Sequence, residues 1–162
     1  MRASTQTPHR LALLGQGFAL TYSQLWEKAG AVAGAIEEVI PPSQTPDVAP
    51  LVGLLASRSA ELIVGMLGIL RAGGAYVPLE PTLPVERLAF MAEDAELAGI
   101  AFSTGWEELA NQLGPAFALS IARCAPDPDL GRRTDVATST AVVLYTSGST
   151  GKPKGVCISH EA

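Results

Sequence analysis

A chain of 162 residues, 48% apolar and 17% charged, can bury one core and is too apolar to be disordered. Its net charge of −5 argues against a general nucleic-acid binder, which presents a basic face. Its most apolar run, LIVGMLGIL from Leu62 to Leu70, is far shorter than the roughly 20 residues a membrane span needs.

The first ten residues, MRASTQTPHR, lack the apolar stretch of a secretory leader. The two cysteines, Cys124 and Cys157, have no CxxC spacing and read as free thiols in a reducing compartment. Together these point to a cytoplasmic protein. RLALLGQGFALTY then places two short apolar runs around Gly15-Gln16-Gly17, a β-hairpin signal. Thr21 precedes a helix in which Leu25, Trp26, Ala29, Ala33, Ile36 and Ile40 recur at helical spacing. Pro41-Pro42 stops that helix and opens a loop to Pro50.

LVGLLA (Leu51–Ala56) reads as a buried strand. Ser57 or Ser59 caps a helix that carries the Leu62–Leu70 run and ends at Arg71-Ala72-Gly73-Gly74. AYVPL (Ala75–Leu79) is the next strand, and Pro84 is placed as the first residue of the helix after it. GIAF, WEELANQL and AFALSIA read as strand, short helix and strand; residues 122–140 form a polar, proline-bearing loop. AVVLYT (Ala141–Thr146) is a buried β-branched strand, and GVCISH is a strand beyond it. Strands without polar alternation, separated by helices, predict an α/β fold with a mostly parallel sheet covered on both faces and preceded by the hairpin. The organisation is a hairpin and first helix over 8–40, alternating strands and helices over 50–121, the loop 122–140, and a strand, loop and strand over 141–160.

The chemistry concentrates in YTSGSTGKPKG, Tyr145 to Gly155. Glycines let a backbone turn several N–H groups toward one anion. The hydroxyls of Thr146, Ser147, Ser149 and Thr150 can donate to phosphate oxygens, and Lys152 and Lys154 supply positive charge. The string is not a Walker A loop, because Thr146 stands where the first glycine belongs and Pro153 where Ser or Thr must follow the lysine. It is not a G-x-G-x-x-G dinucleotide fingerprint either. A plain Gly/Ser hairpin with incidental lysines is the competing reading of such a loop taken alone.

The full string resembles the phosphate-loop signature of the adenylate-forming superfamily: acyl-CoA synthetases, luciferase-like enzymes and nonribosomal peptide synthetase adenylation domains. LTYSQL (Leu20–Leu25) resembles the first core motif of adenylation domains, with Gln24 where glutamate is common, and LRAGGAYVPLEP (Leu70–Pro81) resembles the second, with Leu79 and Glu80 as conservative departures. PVERLAFMAEDA is similar to a helix of the peptide-synthetase branch. Read from the residues alone, Tyr22, Leu25 and Trp26 pack a helix, and Gly73, Gly74 and Pro78 shape a turn and the strand after it.

The resemblance implies an acid–AMP ligase: a carboxylate, here of an amino acid, attacks the α-phosphorus of ATP with Mg²⁺, and the acyl group passes to the phosphopantetheine thiol of a carrier domain. It implies that Thr146, Ser147, Gly148, Ser149, Thr150 and Gly151 wrap the phosphates with Gly155, and that Lys154 carries the functional charge. Lys152 falls at a variable, solvated position. The family's Mg²⁺-associated glutamate, ribose-binding aspartate, adenine and acid pockets and catalytic C-terminal lysine belong to positions beyond Ala162. The expectation is therefore an incomplete, N-terminal part of an adenylation domain that is inactive alone, binds ATP weakly and exposes a sheet edge through which it can associate. A fragment of a fatty-acyl or aryl-acid ligase, and a non-catalytic docking subunit, are the alternatives. His9 reads as solvated, and His160 as orienting the loop after the last strand rather than acting in catalysis.

Overall fold

The computed structural model describes residues 2–15, 17–40, 48–125, 140–147 and 153–162. A short helix α1 (Arg2–Gln6), which no sequence signal announced, precedes the hairpin of β1 (Leu11–Gly15) and β2 (Phe18–Thr21). The hairpin turns at Gly17, whose φ of +79° is a conformation that only glycine adopts without strain. Thr21 then caps α2 (Tyr22–Val39): the Gln24 N–H donates to Thr21 Oγ1 at 3.3 Å, and the Thr21 N–H donates to Gln24 Oε1 at 2.9 Å. Glutamine at this position thus completes the capping box as glutamate does, which explains why the departure from LTYxEL costs the fold nothing.

The second unit of the chain is a six-stranded sheet in the order β6-β5-β3-β4-β7-β8. Its strands are β3 (Leu51–Leu55), β4 (Ala75–Leu79), β5 (Gly99–Phe102), β6 (Ala118–Ser120), β7 (Thr140–Ser147) and β8 (Pro153–Ser159). All pairings are parallel except β7 with β8, which is antiparallel. The crossovers are α3 (Ala60–Arg71), α4 (Val85–Asp94) and α5 (Glu107–Gln112), with a 3₁₀ turn at Ile121–Arg123.

Two cores sandwich the sheet. Val52, Leu54 and Ala101 pack with Val32 and Ile36 of α2 and with Val64 and Ile69 of α3. Leu55, Val77, Leu79, Ile100 and Phe102 pack with Leu88 and Met91 of α4 and Ala110 of α5. Residues adjacent along β3 enter opposite cores, which is why the run LVGLLA shows no polar alternation. Arg71, at the end of α3, lies 4.0 Å over the Trp26 ring and donates to the Trp26 carbonyl at 2.9 Å, fastening α3 to α2.

Helix α3 ends as AGG predicts. Gly73 takes φ +82°, its N–H donates to the Leu70 carbonyl and that of Gly74 to Ile69, a Schellman closure. A Cβ on Gly74 would press on Ile69 and the Pro50 carbonyl, so this glycine also permits the entry into β4. Of the two candidate caps for α3, Ser59 is the one used, accepting from the Leu62 N–H.

Three expectations are corrected. Pro84 is the N-cap of α4 and not its first helical residue: its ψ of 140° is extended, while its carbonyl accepts from Arg87 and Leu88. AFALSIA forms a strand only over Ala118–Ser120 before tightening into the 3₁₀ turn. AVVLYT is buried only in part. Val142 and Val143 are covered, but Leu144 is 40% exposed and its cross-strand partner Val156 48% exposed, because β7 and β8 form the margin of the sheet beyond α2 and α3. Most of the loops read at 41–50 and 122–140 falls outside the described residues.

Candidate phosphate site

Strands β3, β4, β5 and β7 are parallel, so their carboxyl ends share one edge of the sheet. Open α/β sheets bind ligands at that edge. The edge here is polar. The Glu61 carboxylate accepts from the Thr104 N–H at 2.6 Å and from its hydroxyl at 2.9 Å, joining the first turn of α3 to the chain after β5. Thr82 donates to Glu80 at 3.4 Å just past β4.

Strand β7 delivers Thr146 and Ser147 to the same edge, and β8 leads away from it with Lys154 and Gly155. The ladder pairs Tyr145 with Gly155, Thr146 with Lys154 and Ser147 with Pro153. Residues directly opposite in an antiparallel pair point to one face. Thr146 and Lys154 therefore share a face, and both are exposed. The Thr146 hydroxyl donates to the Lys154 carbonyl at 3.5 Å, and no described carboxylate pairs with the Lys154 ammonium. Pro153, which has no N–H to give, stands at the first position of β8, a place where proline is tolerated.

The structure thus brings together four of the residues chosen from the sequence: Thr146, Ser147, Lys154 and Gly155. Gly148, Ser149, Thr150 and Gly151 lie outside the described residues, as does Lys152. The described donor set of two exposed hydroxyls, one unpaired ammonium and a glycine without a side chain suits an anion with several oxygens. Among the described residues no group of three or more His, Cys, Asp or Glu side chains is placed to hold a metal ion. His9 and His160 are both exposed.

Two features at this site carried no separate signal in the sequence. The Tyr145 hydroxyl donates to Asp94 Oδ2, at the last residue of α4, at 2.6 Å. Burial, and then the Asp94 hydrogen bond and charge, push this phenol above its ordinary range. Across the ladder, a Cβ on Gly155 would meet Val143 Cγ1 at a tight 3.1 Å and the Tyr145 ring at an ordinary 3.4 Å, so the glycine leaves room for Val143 beside the tyrosine. A half-buried tyrosine hydroxyl usually finds a partner. That partner lies 51 residues earlier in the chain, out of reach of any local pattern. A groove of about 490 Å³ lies elsewhere. Ala31, Gly34 and Glu38 of α2, with Glu107, Arg123 and Cys124, line it near β6, and it contains none of the phosphate-site residues.

Among known proteins, the chain matches the family described as AMP-binding enzyme over residues 1–162. It is 39% identical over 159 aligned positions to tyrocidine synthase 3 of Brevibacillus parabrevis, spanning 97% of this chain and 2% of that protein. In structure it is similar to the Klebsiella oxytoca NpsA N-terminal subdomain in complex with 3-hydroxybenzoyl-AMSN: TM-score 0.76, 26% identity, 98% of this chain and 39% of that one. The Bacillus subtilis o-succinylbenzoate coenzyme A synthetase in complex with AMP shares the fold at TM-score 0.76 and 21% identity, over 99% of this chain and 41% of the other. No described helix is long and apolar enough to cross a membrane. The mostly parallel sheet, the loop stems at its carboxyl edge and the match along the whole chain together show that the chain belongs to the AMP-binding enzyme family, and within it resembles the adenylation domains of nonribosomal peptide synthetases.

Proposed function

We propose that these residues are the phosphate-holding part of an ATP-dependent acid–AMP ligase that activates an amino acid and passes it to a carrier-protein thiol in the cytoplasm. The observation that carries the reading is the β7–β8 ladder, which sets Thr146 and Lys154 side by side, exposed, at the carboxyl edge of the sheet. In the ligase, the hydroxyls of Thr146, Ser147, Ser149 and Thr150 and the N–H groups around Gly148, Gly151 and Gly155 hold the β- and γ-phosphates. Lys154 offsets charge as pyrophosphate departs. Such catalysis is positioning plus charge stabilisation. Mg²⁺ neutralises phosphate charge when bound. The amino-acid branch is preferred to a fatty-acyl or aryl-acid ligase because LRAGGAYVPLEP follows that branch, and because the likeness to tyrocidine synthase 3, at 39% identity, runs along nearly the whole chain.

Magnitudes limit what this part does alone. Hydrogen bonds to charged groups contribute roughly 1.5–3 kcal/mol each, against an association cost of about 4–15 kcal/mol. Three or four such bonds without adenine or ribose contacts leave roughly millimolar affinity, about −4 kcal/mol. The test is titration of the ¹⁵N-labelled chain with MgATP, beside ATP–pyrophosphate exchange with mixed amino acids. Millimolar shifts confined to the amides of Thr146, Ser147, Lys154 and Gly155, weakened in Lys154→Ala, are expected, with no exchange above background. Silent amides at tens of millimolar ATP would refute phosphate binding. Exchange that disappears in Lys154→Ala would mean the chain adenylates unaided.

A second reading, a docking subunit, is favoured only by the exposed Leu144–Val156 pair at the sheet margin. A chain that neither self-associates in sedimentation nor loses any partner binding in Leu144→Ser/Val156→Ser would remove it.

A further inference from the structure

We propose that Tyr145 and Asp94 are positioning residues that hold both stems of the phosphate loop in register; the inference rests on the phosphate-binding reading above. Tyr145 directly precedes Thr146 and Ser147, and it stands opposite Gly155 on β8. Its ring belongs to β7 and lies beside β8, where a Cβ on residue 155 would stand at ordinary contact distance from it, 3.4 Å from Cζ. Its hydroxyl donates to Asp94 Oδ2 at 2.6 Å, the length of a strong bond to a charged acceptor.

Asp94 is itself well anchored. It ends α4, whose Leu88 is 0% exposed and Met91 3% exposed in the core. The bond thus ties a sheet margin to a helix fixed in the core.

Strand β7 is also held by Val143, buried in the core against which the Tyr145 ring packs; beyond that, restraint near the loop is lighter. Strand β7 pairs with β4 at Tyr76↔Val142, near the end of β7 farther from the loop. Leu144 and Val156, next along the ladder, are exposed. Among the described residues, the Tyr145–Asp94 bond is the hydrogen bond that joins β7 to a helix. Holding the stems in place before a ligand arrives lowers the ordering cost of binding, so its loss should appear as weaker binding rather than as unfolding.

The experiment compares the wild-type chain with Tyr145→Phe, Asp94→Asn, Asp94→Leu and the Tyr145→Phe/Asp94→Leu double variant. Each is titrated with MgATP and, separately, with inorganic tripolyphosphate, following the amides of Thr146, Ser147, Lys154 and Gly155. Amides of β3 and β5 report whether the fold is intact. Tyr145→Phe keeps the ring over Gly155 and removes only the hydroxyl, so it decides the matter if Asp94→Leu does not fold. The dissociation constant is expected to rise about three- to tenfold in Tyr145→Phe and in Asp94→Leu. The double variant should be no worse than either, since both remove one bond. Asp94→Asn, which keeps an acceptor oxygen, should fall between. Wild-type binding with unchanged constants in the folded variants overturns the inference and leaves the phosphate reading standing. No wild-type response to either ligand overturns both.

Discussion

Substituting Gly68 with alanine sets two known effects against each other. Alanine in place of glycine inside a helix contributes about 1 kcal/mol through propensity. At this position, however, an ideal Cβ would stand 2.5 Å from Val32 Cγ1, 2.6 Å from Val32 Cβ and 3.2 Å from the Ala29 carbonyl oxygen. Val32 is 0% exposed, and its Cβ is bonded directly to the α2 backbone, so no rotamer change relieves the clash. The helices must separate, and overpacking of this kind costs about 1–3 kcal/mol. Contacts of 2.5 and 2.6 Å to an unyielding side chain belong to the upper part of that range, about 2–3 kcal/mol, so the clash outweighs propensity and leaves a net loss of roughly 1–2 kcal/mol. For a chain of this size each kcal/mol shifts the melting temperature by about 2–4 °C, so the fall should be about 2–8 °C. Circular dichroism melts of Gly68→Ala and Gly68→Val measure it, the valine falling further because its branch adds bulk at the same point. A melting temperature equal to or above wild type for the alanine would refute the close packing of α2 on α3.

Glu96 occupies the position after α4 with φ +47°, where glycine is at ease and other residues are strained, while the Glu96 and Leu97 N–H groups close the helix on the Glu93 and Ala92 carbonyls. Glu96→Gly should stabilise the fold by about 0.5–1 kcal/mol, read as a rise of roughly 1–4 °C in the melt, and a fall would contradict that geometry. The Cys124 thiol is pushed up to about 11 by burial, whereas Cys157 is exposed on β8. Iodoacetamide at pH 8 should therefore modify Cys157 well before Cys124, followed by mass spectrometry, and equal rates would sink the assignment. In the folded state Cys124 keeps its proton after the unfolded thiol, near 9, has lost it, so its contribution to stability declines as pH rises from about 9 through 11.

Local signals lay close to their cause. The sequence placed a helix start after Thr21, a cap at Ser57 or Ser59, a hairpin around Gly15-Gln16-Gly17 and a helix end at Gly73-Gly74; the structure adds Gln24 as the capping partner of Thr21 and selects Ser59. Pro84 shows the limit of such reading. Proline suits either side of a helix start; the structure sets Pro84 at ψ 140°, outside the helix, and its fixed φ did not decide between the two.

The sequence by itself determined the alternation of strands and helices, the two-sided burial of β3, β4 and β5, and the residue types of the Tyr145–Gly155 string. Those follow from hydrophobic period and from backbone chemistry, both of which are written in neighbouring residues. Only the tertiary structure decided that β7 lands beside β4 and β8 beside β7, and that Leu144 and Val156 are the uncovered pair of the sheet edge the sequence led us to expect. It alone placed Asp94 against Tyr145 and set Gly155 close to Val143 across the ladder. These depend on which strand lands beside which and on what helix covers the pair. Such outcomes are set by the packing of the whole chain, because contacts 51 residues apart leave no periodic trace between them.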